Sequence, residues 1–342
     1  MKILIAFFAL IAFIVPINAS ANDGFAALGI GGITISKTDK IAIQNEVLDI
    51  SCDNINVTYD FINESNQDEN ALIMFPLPPY PAEPAESNII SHGQPSGFTI
   101  KVDGKPVNYD TEVRATLKGR DVTQELKSVG LTIEQIARFP FDPTLMNDHE
   151  LMLPKAQIEA LTKTGLFEDG LWDINVTYVW KQKFPAKAIV HIEHSYRPFI
   201  AEGTASGYSG QNKELSRTIH EWGWKDIFDF CPSEQQLHKL DHLLANKENL
   251  DGYNQVPGAI VEYILTTANS WKGEIRNFDL RIHTKAKDEI VALCFPSKMK
   301  RVSDTLYEGH LQNFKPKTEL SVYFGNARQC DSNGNGEPPK FR

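Results

Sequence analysis

The pentapeptide INVTY occurs twice in the chain, at residues 55–59 and 174–178. In both copies the apolar and aromatic residues fall at every second position, so one face is apolar and the other polar. Successive side chains of a β-strand point to opposite faces, whereas a helix would need a period of 3.6 residues. Each copy therefore predicts a half-buried antiparallel strand. The segments that follow the copies align poorly, which indicates two similar strands rather than an internal repeat.

The same alternation recurs along most of the chain, and Asp103-Gly104 supplies the tight turn of a predicted hairpin. In the C-terminal part the predicted strands are residues 259–267, 278–283, 289–294 and 319–324.

The period changes to a helical one at about residues 113–168, which we predict to be a mainly helical insertion. Asp121 and Thr132 are placed as N-caps, and Pro154 begins a further helix. Pro232 begins one helix in the C-terminal part, where the leucines follow helical spacing.

These patterns predict a mainly β protein of the β-rich α+β class, with antiparallel sandwich-like sheets, the helical insertion and a C-terminal β region. The predicted parts are a signal peptide over residues 1–21, an N-terminal β domain over 22–200 that contains the insertion, a C-terminal β region with one helix over 201–328, and a mobile tail over 329–342.

The first residues have the pattern of a secretory signal peptide. Lys2 precedes an apolar run over residues 3–17, and an A-x-A site ends at Ala21. The run is shorter than the about 20 apolar residues of a membrane-spanning helix. We expect cleavage after Ala21 and a periplasmic or secreted protein without a transmembrane helix; the alternative is a retained anchor.

The chain is acidic, with a formal net charge of −10, or −11 after subtraction of Lys2 with the signal peptide. An acidic surface repels phosphate backbones and anionic lipid heads, so nucleic acid is not expected as a partner. The run Lys298-Met299-Lys300-Arg301 is the one basic cluster, and we interpret it as a solvated hairpin tip rather than a binding patch.

The four cysteines are Cys52, Cys231, Cys294 and Cys330. In an exported chain disulfides are the default, and four cysteines allow three pairings. We expect Cys231 to pair with Cys294, which leaves Cys52 and Cys330 to pair or stay free. No C-x-x-C spacing is present, so neither a metal, a redox centre nor a cofactor is expected.

Trp222, Trp224 and Trp271 are the candidate ligand-binding residues. Trp222 and Trp224 are two residues apart and would project to one side of an extended segment. With Trp271 they would offer a stacking surface to a sugar or a peptide. Because aromatic side chains more often belong to a core, the alternative is that all three are buried.

A catalytic cluster would have to come from His191, Glu193, His194, His220 and Glu221. On a strand, His191 and Glu193 share one face while His194 points away, so this segment alone cannot enclose a metal ion. A hydrolase would need these distant side chains to converge in a deep pocket. No catalytic residue is assigned, and a secreted hydrolase is kept as an alternative.

Several segments together are similar to those of an exported bacterial family known as domain of unknown function 4424. They include INVTYDFIN, the W-x-Q-x-FPA piece at residues 180–186 and YILTTANSWKGEI at residues 263–275. The resemblance covers nearly all of the mature chain. It implies export and supports the pairing of Cys231 with Cys294, whose contexts match. It brings no activity and no catalytic residues.

The sequence therefore favours a non-catalytic envelope or secreted module that binds a protein or a glycan. The alternatives are the hydrolase above and a structural subunit of an exported assembly, which would show a large apolar patch or an open sheet edge.

We predict that the protein recovered from an exporting bacterial host begins at Asn22, as N-terminal sequencing and intact mass would show. Ala21→Arg should block processing because the cleavage site requires a small residue there, whereas Ser20→Gln, at the variable position of A-x-A, should not. A full-length product from the unaltered chain would contradict this prediction.

Overall fold

A computed structural model of the chain describes residues 23–29, 32–82, 96–137, 154–166, 172–202, 206–221, 225–246 and 255–327. The predicted signal peptide and the predicted mobile tail lie outside these residues. Within the described ranges, no helix has both the length and the apolar character that crossing a membrane requires.

Strands are the most abundant elements of the described structure. In chain order they are β1 (Gly24–Gly29), β2 (Gly32–Ile35), β3 (Ile41–Ile50), β4 (Ile55–Asn63), β5 (Glu69–Pro76), β6 (Tyr80–Pro81), β7 (Ser96–Val102), β8 (Lys105–Pro106), β9 (Asp110–Leu117), β10 (Arg120–Asp121), β11 (Asp173–Phe184), β12 (Ile189–Arg197), β13 (Ile200–Glu202), β14 (Gly258–Tyr263), β15 (Ile275–His283), β16 (Ile290–Ala292), β17 (Lys300–Arg301), β18 (Leu306–Phe314) and β19 (Leu320–Gly325).

The helices are fewer than the strands. They are α1 (Thr123–Ser128), α2 (Ile133–Ala137), α3 (Lys155–Lys163), α4 (Lys213–Glu221) and α5 (Glu234–Ala245), with 3-10 helices at Ile227–Phe230 and Thr266–Ser270.

The strands form three sheets. Sheet I has the order β10-β9-β11-β5-β1-β2, with β6 also paired to β11. Sheet II has the order β17-β18-β15-β3-β4-β12-β7-β8, and sheet III has the order β13-β14-β19-β16. The pairing of β3 with β15 is parallel, and the other strand pairs are antiparallel. The predicted β-rich class with antiparallel sheets is confirmed.

The two INVTY copies are strands β4 and β11, as predicted, and their tyrosines Tyr59 and Tyr178 are buried. They lie in different sheets, β4 in sheet II and β11 in sheet I. The inward faces of these sheets pack together: Phe98 of β7 stacks on Tyr178 with ring centroids 3.8 Å apart, and Phe61 of β4 meets Phe184 of β11 at 5.8 Å. The twin segments therefore supply one inward face of each sheet.

The predicted helical insertion at about residues 113–168 begins later than expected, because its first five residues belong to β9. Helices α1, α2 and α3 follow within the described part of that range. The Asp121 side chain accepts a hydrogen bond from the amide of Thr123, although α1 itself is capped at Val122. The capping box of Thr132 with Gln135 is present.

The C-terminal strands differ in part from the prediction. The segment predicted as a strand to residue 267 leaves the sheet after Tyr263 and forms the 3-10 helix Thr266–Ser270. Strand β18 was not predicted, because its residues do not alternate cleanly between apolar and polar. Helix α5 follows the predicted pattern and begins with a capping box of Ser233 and Gln236.

The sheets do not follow the predicted domain boundary at residue 200. Strand β15 pairs with β3 over six residue pairs, so sheet II contains strands from both sides of that boundary. The largest apolar core likewise draws on both parts, for example on Leu48 of β3 and Leu280 of β15. A second, smaller core lies between α5 and sheet III, where Leu240 and Tyr323 are fully buried.

The expected disulfide between Cys231 and Cys294 is present. It joins the residue after the first 3-10 helix to the segment that follows β16, across 63 residues of sequence. Cys52 is also disulfide-bonded, and its predicted partner Cys330 lies outside the described residues.

We predict that Leu280→Ala lowers the free energy of unfolding by about 2–5 kcal/mol, since Leu280 is fully buried in the core that both parts of the chain share. Arg281→Ala, one residue further on the outward face, should cost no more than about 1 kcal/mol. Equilibrium denaturation measures both. Equal costs would contradict the burial pattern of β15.

Candidate functional site

Trp271 is not an exposed stacking residue. Its side chain is 4% exposed and packs against Phe61 with ring centroids 4.5 Å apart, while its indole N–H donates to the carbonyl oxygen of Asp23. The prediction of an exposed ring at this position is therefore wrong, because the ring belongs to the sandwich core. Trp222 and Trp224 lie outside the described residues, so their ligand-binding role stays a prediction.

The histidines and glutamates proposed for a hydrolase do not converge. His191 and Glu193 lie on the outward face of β12, where an imidazole nitrogen is 3.3 Å from the carboxylate. His194 points into the core from the opposite face of the same strand. His220 and Glu221 lie at the C-terminal end of α4. The hydrolase hypothesis in this form is wrong: strand alternation places His194 on the face opposite to His191 and Glu193, and His220 makes its contacts with Asp226 and Asp229 instead.

His194 forms a buried hydrogen-bond contact with Asp23. Its Nε2 lies 2.9 Å from a carboxylate oxygen of Asp23, and both side chains are fully shielded from solvent. Burial raises the pKa of the Asp23 carboxyl above its ordinary value, and the neighbouring imidazole partly opposes that rise. Aromatic rings enclose the histidine, among them Trp180 at 5.3 Å and Phe75 at 4.9 Å. This pair is part of the interior and offers no accessible surface.

His220 meets Asp226 and Asp229 of the first 3-10 turn. Its Nε2 lies 2.8 Å from Asp229 and 3.9 Å from Asp226, and the hydrogen bond to Asp229 raises the pKa of His220 above its ordinary value. The carboxylates also form the capping box of that turn. These contacts hold α4 against the 3-10 turn, which explains why the three side chains lie together.

A groove of about 420 Å³ lies at the edge of sheet II. One side is formed by outward-facing residues of β15 and β18. The other is formed by β17 and by residues 293–299, which we call the strap and which connect β16 to β17. We refer to this concavity as the strap groove.

The strap is held in place by close packing on β18. Its residues alternate in exposure: Phe295 and Met299 are half-buried, while Lys298 is exposed. A Cβ atom at Gly309 of β18 would lie 2.6 Å from the sulfur of Met299 and 3.0 Å from the ring of Phe295. Only glycine therefore lets the strap approach this closely. The groove is thus shaped by the packing of apolar side chains beneath its wall.

The sheet side of the groove carries charges that are paired across β15 and β18. His310 lies 2.7 Å from Asp279, directly opposite it in register. Arg281 lies 3.6 Å from Glu308, which is also its register partner. The imidazole and the guanidinium on this side therefore each have a carboxylate beside them.

The strap side differs, because it presents Lys298 and Lys300 to solvent. Neither lysine forms an ion pair with a described carboxylate. The basic run ends in a solvated hairpin, as interpreted from the sequence: Lys300 and Arg301 form β17, both are exposed, and β17 pairs with β18 across the turn at residues 302–305. Arg301 is turned away into backbone contacts with Lys287 and Ser303. The basic run was the sequence signal for this site. Because β18 was not predicted, the sequence did not show the surface that lies opposite the run.

The comparisons with known proteins define the class of the chain. The model of the family described as "Domain of unknown function (DUF4424)" matches residues 21–323, and the chain belongs to this family, as the resemblance implied. No curated protein matches the chain.

Among solved structures, the chain is similar to a crystal structure of a "putative nutrient binding protein" from Legionella pneumophila. The two share 15% sequence identity with a TM-score of 0.43, and the match covers 90% of this chain and 72% of the other.

We expect Asp23→Asn to change how stability depends on pH. Because the pKa of Asp23 is raised, the folded protein keeps a proton that the unfolded chain has released between the ordinary and the raised pKa. Its free energy of unfolding therefore falls as pH rises through this window, by at most about 1.4 kcal/mol per pH unit for one proton. Asn has no such proton, so the stability of the variant relative to the unaltered protein should increase above about pH 4.

Urea denaturation from acidic to neutral pH measures this difference. Asp110→Asn, at an exposed position, is the matched control and should run parallel to the unaltered protein. If the free energy of unfolding of Asp23→Asn also runs parallel to that of the unaltered protein across this pH range, burial does not raise the pKa of Asp23.

Proposed function

We propose that this protein is an exported, non-catalytic module that binds an extended segment of another envelope protein in the strap groove. The observation that carries the proposal is the groove itself, whose volume of about 420 Å³ falls within the range of ligand sites and whose wall is fixed by the seating of Met299 on Gly309. A wall that is already packed in the free protein limits the entropy lost on binding.

The lining of the groove favours a peptide over a glycan. None of the described residues that line it is Trp, Tyr or Phe, so a sugar ring would find no aromatic face to stack on. The lining instead combines carboxylates, an imidazole, a guanidinium and ammonium groups. Such a set complements the backbone and the charged side chains of a polypeptide.

Export is supported by two features of different kinds. The N-terminal residues have the pattern of a signal peptide, and the Cys231–Cys294 disulfide is of the kind that persists in oxidising compartments. A structural role in a larger assembly has less support. The large apolar side chains exposed among the described residues are Ile35, Ile189, Phe228 and Val302. The first three lie on three different elements, and Val302 lies in the turn between β17 and β18.

The proposal predicts a partner contact at the groove. A photo-crosslinking amino acid at position 297, in the groove lining, should give a discrete adduct with one envelope protein in living cells, whereas the same residue at exposed position 128 on α1 should not. The partner, once purified, should then bind the isolated protein in calorimetry.

Groove filling provides the matched variants. Ser297→Trp should weaken that binding at least about tenfold, because the indole occupies the space of the partner chain, while Ser128→Trp should leave it unchanged. Equal effects of the two substitutions, or no adduct from position 297, would contradict a binding role for the groove.

A further inference from the structure

We infer that the segment recognised in the strap groove is acidic and extended, with carboxylates two residues apart that contact Lys298 and Lys300. This inference rests on the proposed function and adds the chemistry of the partner.

The first step concerns the balance of charge within the groove. On the sheet side, Arg281 lies 3.6 Å from Glu308, and the imidazole of His310 lies 2.7 Å from Asp279. On the strap side, Lys300 lies opposite Glu308 in the β17–β18 register without an ion pair to it, and Lys298 has no ion pair among the described residues. The lining therefore holds three Lys and Arg side chains against two carboxylates. A ligand therefore meets a local surplus of positive charge, although the chain as a whole carries −10. Carboxylates are the groups that this surplus attracts.

The second step concerns spacing. Lys298 and Lys300 are exposed and the intervening Met299 is half-buried, which is the alternation of an extended backbone. In an extended chain, side chains two residues apart project from the same face and are about 6.6 Å apart along the backbone. Lys298 and Lys300 have this spacing. An extended peptide with Asp or Glu at positions i and i+2 has the same repeat and presents both carboxylates on one side. The match of the two periods selects an acid-x-acid pattern in an extended partner.

The third step concerns salt. Both lysines are open to solvent, and contacts between exposed charges are screened within about 8–10 Å at physiological salt. Electrostatic recognition at this site should therefore weaken strongly as salt is added. It should also raise the association rate more than it lowers the dissociation rate.

The test uses defined fluorescent peptides and the purified protein. The acidic probe contains Glu-Val-Glu-Val-Glu, and the neutral probe of equal length contains Gln-Val-Gln-Val-Gln. By fluorescence anisotropy at low salt, the acidic probe should bind at least about tenfold more tightly than the neutral one, and the difference should largely vanish in half-molar salt.

The chain offers a matched control for the lysines. Lys315 and Lys317 are also exposed and two residues apart, but they lie between β18 and β19 and do not line the groove. Lys298→Ala with Lys300→Ala should abolish the preference for the acidic probe, and Lys315→Ala with Lys317→Ala should not. Replacement of Lys298 and Lys300 by Arg, which keeps both charges, should preserve it.

The outcomes separate this inference from the proposed function. Equal binding of acidic and neutral probes, competed by the partner and lost in Ser297→Trp, would overturn the acidic motif and leave peptide binding in the groove intact. Preferential binding of an oligogalacturonate that depends on Lys298 and Lys300 would overturn the choice of a peptide. Binding of neither probe, together with no adduct from position 297, would overturn both proposals.

Discussion

The parallel pairing of β3 with β15 is the contact on which the rest of the structure depends. It joins a strand near the beginning of the described chain to one more than 200 residues later, and β18, β17 and the strap attach to the sheet only through β15. Parallel neighbours cannot be joined by a tight turn, so the intervening chain was free to form sheet I and the helical insertion. This pairing therefore places the groove at the edge of a sheet that begins in the N-terminal part of the chain.

In the groove, apolar packing fixes the wall, and charged side chains face the solvent. Apolar residues of the strap reach beneath β18 and find room because position 309 is glycine, so the wall is held by buried contacts. The alternate residues Lys298 and Lys300 are thereby exposed to solvent, and neither forms an ion pair among the described residues. Exposed charges contribute little to stability. Because these lysines lie on a packed wall, they are suited to recognition of a partner. Both proposals are based on this placement.

The structural placement of some candidate residues could be predicted from the sequence, and that of others could not. The separation of His191 and Glu193 from His194 was predictable, because alternation along a strand is a local property. The burial of Trp271 was not, since an indole is stable either in a core or at a binding surface and only its neighbours decide. The pairing of His194 with Asp23 was also beyond reach: the residues are 171 positions apart, and no local pattern marks a buried ionisable contact.

By itself, the sequence determined the β-rich class, the inward faces of the twin strands and several caps and turns, because these depend on side-chain periodicity and backbone preferences over a few residues. Tertiary structure decided which strands became neighbours, that the two halves share one core, and that a basic run lies opposite the charged residues of β15 and β18. Those outcomes depend on pairings between distant segments, whose free energies are set by packing and register across the whole sheet rather than by any local pattern.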